Sequence, residues 1–241
     1  CIDSNFVSSI GPFVDLFEKK IKKFTGAKYA VATVNGTSAI HAALHALKIM
    51  PNEEVLIPAF NFVASANATL YCNAVPHFID VEKKTLGIDF EKLEKYLNKI
   101  CIKKGSKIFN KNSKRKIRAI IPTHTFGHPV DLDKLIKVAK KYNLLIIEDA
   151  AEGIGSYYKG KHVGTFGHIG VLSFNGNKTI TTGGGGALIT NSKKISKKLK
   201  HLTTTAKIKH PWNYKYDEMG FNYRLPNLNA ALGCAQIKKI S

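Results

Sequence analysis

The chain has 241 residues, 44% of them hydrophobic, which is enough for one large domain or for one domain and part of a second. Lys and Arg outnumber Asp and Glu by 37 to 17, a formal charge of +20, but the basic residues are spread along the chain and no basic motif is interleaved with aromatics, so no nucleic-acid partner is expected. No apolar run reaches the ~18–20 residues that cross a bilayer, and no N-terminal stretch reads as a signal peptide, so no membrane partner is expected either.

Residues 13–24 form the first predicted helix, with Phe13, Leu16, Phe17, Ile21 and Phe24 at helical spacing and Gly26 as its stop. Residues 29–34 read as a strand. Asn35-Gly36-Thr37-Ser38 is then a turn, with Thr37 or Ser38 capping a helix over 39–47. Short apolar runs follow at 55–57, 74–79, 117–121, 144–147, 169–174 and 187–190. The dense basic stretch 103–118 reads as a solvated loop. Leu132, Leu135, Ile136 and Ala139 mark one helix face, and the lysines of 137–141 and 193–200 read as solvated helix edges. Continuous apolar strands alternating with helices predict an α/β fold: three layers, α/β/α, with a mostly parallel central sheet.

Polar and small residues follow directly after several of these strands: Asn35-Gly-Thr-Ser, Pro58-Ala-Phe-Asn-Phe, Thr123-His124, Glu148-Asp149-Ala-Ala-Glu152 and Asn175-Gly-Asn-Lys178. Open α/β sheets bind ligands at the carboxyl ends of their strands, so five segments deliver chemistry to one edge. Asp149 ends an apolar strand, where a carboxylate is poorly solvated unless a cation answers it. Gly36, Thr37 and Ser38 offer a helix N-terminus for a phosphate. Lys178 follows a strand that carries Ser173, and the glycines of 183–186 permit a tight turn and a close approach to a ligand. Phe62 supplies an aromatic face and Ala151 a small one. Taken singly, each feature has an ordinary reading as a cap, a surface lysine or a turn. Together they meet the needs of pyridoxal 5'-phosphate (PLP): a lysine for the aldehyde, a carboxylate for the ring nitrogen, and a phosphate cradle. His124 and His128 are four apart, but Gly127 and Pro129 disfavour a helix there and no carboxylate pattern supports a metal site.

The order Asn35-Gly-Thr-Ser-Ala39, Glu148-Asp-Ala-Ala-Glu152-Gly-Ile-Gly155, Ser173-Phe-Asn-Gly-Asn-Lys178 and Gly220-Phe-Asn-Tyr-Arg-Leu225 resembles the DegT/DnrJ/EryC1/StrS family of PLP-dependent sugar aminotransferases, of PLP fold type I. The resemblance implies that Lys178 is the Schiff-base lysine and proton shuttle, and that Asp149 pairs with the pyridine nitrogen. It places Thr37, Ser38 and Ser173 on the phosphate and Phe62 on the ring, with Asn61 where the family often has threonine. Glu152 stands where relatives carry glutamine, histidine or glutamate, near the ring hydroxyl. Asn222 would reach the phosphate of a neighbouring subunit, which implies a homodimer. The implied reaction moves an amino group, from glutamate, through the PLP and PMP forms of the cofactor to a nucleotide-linked 4-keto-6-deoxy (N-acetyl)hexosamine, for surface-glycan or nonulosonic acid synthesis. The segments at 201–206 and 224–233 are similar to the LegC-like branch. The alternatives are another PLP reaction on the same scaffold, such as a sugar dehydratase, or an inactive basic binding protein. The four cysteines form no CxxC pair and read as reduced thiols of a cytoplasmic protein. Residues 1–241 are expected to be the PLP-binding large domain, ending near the start of a truncated smaller one.

Overall fold

The computed structural model describes residues 1–240. The strands are β1 (Tyr29–Thr33), β2 (Glu54–Pro58), β3 (Val75–Ile79), β4 (Cys101–Lys104), β5 (Lys107–Asn110), β6 (Lys116–Ile120), β7 (Leu145–Asp149), β8 (Tyr157–Tyr158), β9 (Lys161–His162), β10 (Ile169–Ser173) and β11 (Gly186–Thr190). The helices are α1 (Pro12–Thr25), α2 (Gly36–Ala46), α3 (Ala64–Tyr71), α4 (Phe90–Ile100), α5 (Leu132–Tyr142), α6 (Lys193–Thr203) and α7 (Asn227–Gln236).

The main sheet runs β1-β11-β10-β7-β6-β2-β3. From β10 to β3 every neighbour pair is parallel, while β11 lies antiparallel to both β10 and β1. Alternation along the strands divides the core into two layers. Ala30, Ala32, Leu56, Ile146, Leu172 and Ile189 pack with α1, α4, α5 and α7. Val31, Val55, Ile57, Ile147, Val171 and Leu188 pack on the other face with α2, α3 and α6. This is the expected three-layer α/β/α arrangement, and each apolar run named from the sequence is a strand of it.

Three local expectations are corrected. The cap of α2 is Asn35, whose Oδ1 accepts from Ser38 N at 2.7 Å, not Thr37 or Ser38. The helix therefore starts at Gly36 and takes Gly36, Thr37 and Ser38 into its first turn. The basic stretch is not a loop: β4 and β5 form an antiparallel hairpin that adds to β6. Ile108 and Asn110 are buried beneath it, while Lys103, Lys104 and Lys107 stay exposed. The glycines at 183–186 do not line the cleft described next, and Gly186 instead approaches the chain's own backbone. A Cβ on Gly186 would lie 2.6 Å from the Asn35 carbonyl carbon and 2.8 Å from Gly36 N, so only glycine lets β11 pass under the start of α2.

Candidate active site

A cleft of about 500 Å³ opens at the carboxyl edge of β1, β2, β6, β7 and β10. Of the residues named from the sequence, Gly36, Thr37, Phe62, Asp149, Ala151, Glu152, Ser173 and Lys178 line it. The N-terminus of α2 rests against β10: a Cβ on Gly36 would sit 3.2 Å from that of Ser173. Ser38 is half-buried in the first turn of α2 and lies off the cleft wall, with its amide taken by Asn35. Asn222 is exposed and outside the cleft, and its Oδ1 accepts from Arg224. Phe62 shares the wall with Phe60 and Phe126, whose rings meet edge to face at 6.4 Å.

Asp149 is buried at the end of β7. Its Oδ2 accepts from Ser65 Oγ at 3.0 Å and its Oδ1 from Ala151 N at 3.2 Å. Burial pushes this carboxyl above its ordinary value, and the two hydrogen bonds offset that only in part. No ion pair reaches it among the described residues. Such a group favours a cation placed in the cleft.

Lys178 Nζ donates to Glu152 Oε1 at 2.9 Å, with the lysine side chain mostly buried. Glu152 Oε2 accepts from Phe126 N at 2.9 Å. Burial opposes charge on Glu152, but the Lys178 ammonium and the Phe126 amide outweigh it and hold the carboxyl below its usual range. Phe126 itself stands at φ 53, a left-handed conformation that is costly for a bulky side chain. The Glu152 hydrogen bond is one of the contacts that hold it there.

Beside Asp149, Glu148 points to the other side of the strand and is fully buried. Its Oε1 accepts from the amides of Phe166 and Gly167, and its Oε2 from Gly164 N and His124 Nε2. Burial alone would raise this carboxyl; the His124 ring and the amides of Gly167 and Gly164 outweigh it and hold it low. His124 Nδ1 in turn accepts from Val130 N, so its ring serves this buried network. Phe126 on the cleft wall and Ser65, buried behind Asp149, are residues that sequence reasoning missed; Phe60 and Thr123 lie in segments it placed at this edge without giving them a role. The signal for Phe126 was present, since it follows β6 at the same edge as Thr123.

Pyridoxal phosphate fits this site. The raised Asp149 carboxyl suits a protonated ring nitrogen, α2 aims its N-terminus into the cleft, and Lys178 is within reach of the same space. Thr123 Oγ1, closed off from solvent, has no hydrogen-bond partner in the protein. The sheet and its covering helices have the three-layer α/β/α architecture of PLP fold type I aminotransferases.

The family model described as the DegT/DnrJ/EryC1/StrS aminotransferase family matches residues 1–241. The chain is 38% identical over 240 residues to GDP-perosamine synthase of Caulobacter vibrioides, covering 100% of this chain and 60% of that protein. It is 40% identical over 239 residues to GDP-perosamine synthase of Escherichia coli O157:H7, covering 99% and 61%. Among solved structures it superposes on NtdA from Bacillus subtilis with bound cofactor PMP, with a TM-score of 0.84 and 31% identity, covering 99% of this chain and 50% of the other. The chain belongs to the DegT/DnrJ/EryC1/StrS aminotransferase family, whose cofactor is pyridoxal 5'-phosphate. It spans about 60% of the length of the curated relatives it matches.

Proposed function

We propose that this protein is a PLP-dependent aminotransferase that transfers an amino group from glutamate to a nucleotide-linked 4-keto-6-deoxy hexose or N-acetylhexosamine. The observation that carries the reading is one cleft in which Lys178, the buried Asp149 and the N-terminus of α2 converge. Two relatives named for a GDP-linked amino sugar support the substrate class. When bound, the cofactor supplies an electron sink that stabilises charge on the carbon losing or gaining a proton.

The chain's own residues do the rest. Lys178 holds the cofactor covalently and, once released, moves a proton to and from the substrate carbon through its Nζ. Asp149, desolvated and short of cations, keeps the ring nitrogen protonated. Gly36, Thr37 and Ser38, with Ser173, hold the phosphate at a helix N-terminus that already favours an anion. Phe62 covers the ring. Asn222 reaches across to a second copy of the chain, which makes a homodimer the working unit. Residues 1–241 form the large domain of each copy. Glu152 receives the Lys178 ammonium whenever the lysine is free, as its 2.9 Å contact supports. No helix among the described residues is long and apolar enough to cross a membrane.

The test is borohydride reduction of the PLP-loaded full-length protein followed by peptide mapping. The label is expected on Lys178 alone; a label elsewhere, or none, refutes the assignment. Incubation with glutamate and GDP- or UDP-linked 4-keto-6-deoxy sugars should yield a nucleotide-linked amino sugar. Loss of the sugar 3-hydroxyl would instead indicate dehydration.

A further inference from the structure

We propose that His41 is a positioning residue for Asn222: through the ring and hydroxyl of Tyr223 and the ring of Phe221 it sets the face on which Asn222 is presented to a second copy of the chain. This rests on the reading of Asn222 as a residue that reaches across to that copy's cofactor phosphate. Residues 221–224 run extended between the end of α6 and the end of β1. Phe221 N donates to Leu202 O at 2.7 Å and Tyr223 N to Thr203 O at 3.1 Å on one side, and Val34 N donates to Tyr223 O at 2.9 Å on the other. Alternate residues of an extended segment face opposite ways. Phe221 and Tyr223 share one face, with their rings stacked 5.0 Å apart. Asn222 is left on the other, exposed. Arg224 donates twice to Asn222 Oδ1. The Asn222 NH₂ group keeps no partner among the described residues, and it is the end of the side chain that an anion accepts from.

The inward face is locked by α2. His41 is buried at the middle of that helix. Its Nδ1 shares a hydrogen bond with Tyr223 Oη at 3.0 Å, and its ring lies 4.7 Å from that of Phe221. Tyr71 of α3 meets the same ring edge to face at 5.8 Å, and His45, one turn further along α2, meets Phe221 edge to face at 5.3 Å. Burial, helped by the nearby His45, pushes His41 below the ordinary histidine range, so its ring is neutral at pH 7 and suits this mostly aromatic setting. The backbone bonds fix where the segment runs. The rings fix how far it is rolled about its own axis, and a roll moves the Asn222 amide directly. α2 thus serves two clefts: its N-terminus lies in its own, and its middle holds the residue offered to the other.

Mixed dimers of the full-length protein test this, with PLP as the probe and the absorption band that requires Lys178 as the readout. When a copy carrying Lys178→Ala and His41→Leu is paired with a wild-type copy, only the wild-type cleft gives the band. That cleft should bind PLP about tenfold more weakly than in the same dimer without His41→Leu, the loss of one hydrogen bond to a charged group. When a Lys178→Ala copy is paired with a His41→Leu copy, the cleft that gives the band should keep its affinity. His41→Asn, whose amide can meet the Tyr223 hydroxyl in place of Nδ1, should restore the first dimer. A loss confined to the copy that carries the substitution overturns the proposal, because the effect would then come from distortion of that copy's own α2. Unchanged affinity in both dimers overturns it as well. If His41→Leu does not fold, Tyr223→Phe removes the hydroxyl alone and should give about a threefold loss in the first arrangement; no loss there overturns the proposal. Asn222→Ala without effect on the other copy's cleft overturns the reading on which the proposal rests, a result separate from the others.

Discussion

Replacing Glu148 by glutamine should destabilise the protein far more than the loss of one charge suggests. The carboxylate receives four donors: the amides of Phe166 at 2.7 Å and Gly167 at 2.6 Å on one oxygen, Gly164 N at 2.8 Å and His124 Nε2 at 3.1 Å on the other. Glutamine has one acceptor oxygen and an NH₂ group. Whichever way it sits, two donors face that NH₂. His124 could remove one conflict by shifting its proton to Nδ1, but Nδ1 accepts from Val130 N, which would then face a donor. Two buried donors are therefore left unpaired, at about 1–3 kcal/mol each, so the loss should be about 4 kcal/mol. That is a large share of the ~5–15 kcal/mol that holds a domain folded. Urea denaturation of cofactor-free Glu148→Gln and wild type at pH 7 measures it. A loss below about 1 kcal/mol would refute the reasoning. The sign with pH follows from the direction of the shift. A carboxyl held below its ordinary value of 4.5 contributes stability that is present above that value and lost as pH falls. The gap between the two proteins should therefore close under acid conditions.

Asp149→Asn should leave the cofactor-free protein as stable as wild type or more so at pH 8, because the raised carboxyl is a cost that grows as it ionises. The same variant should bind PLP about a hundredfold more weakly, since the buried ring cation loses its counter-charge; equal PLP titration curves would contradict this. Asn35→Ala should cost about 1 kcal/mol in thermal unfolding through loss of the α2 cap, whereas Asn35→Asp should keep the cap and weaken phosphate-bearing ligands by repulsion. Gly186→Ala should cost about 1–3 kcal/mol and lower PLP affinity as well, because the Asn35–Gly36 turn must move; a wild-type melting temperature would show that the turn yields freely.

The sheet was legible because its strands are buried on both faces, and residues such as Val55, Leu56 and Ile57 announce that by being apolar without a break. The convergence of Lys178 and Asp149 on one cleft was legible because strand ends concentrate chemistry. The β4–β5 hairpin was hidden by lysines, since exposure at Lys103 and Lys107 outweighs the single-residue alternation of Ile108 and Asn110 when only composition is weighed. The α2 cap was misplaced by one turn because Asn35, Thr37 and Ser38 are all good caps, and only the backbone chooses among them. Glu148 was passed over because three of its partners lie 16 to 19 residues onward in a loop with no periodic signal and the fourth, His124, lies 24 residues before it.

The pairing of β1 also bears on how the protein is made. β1 is synthesised well before its sheet neighbour β11, with which it pairs Tyr29 to Thr190. Until that distant strand exists, β1 has an open edge, and the α2 turn that follows it has no Gly186 beneath it. The start of α2 thus reaches its final packing only after β11 has been made, and the nascent chain carries an unpaired strand until then.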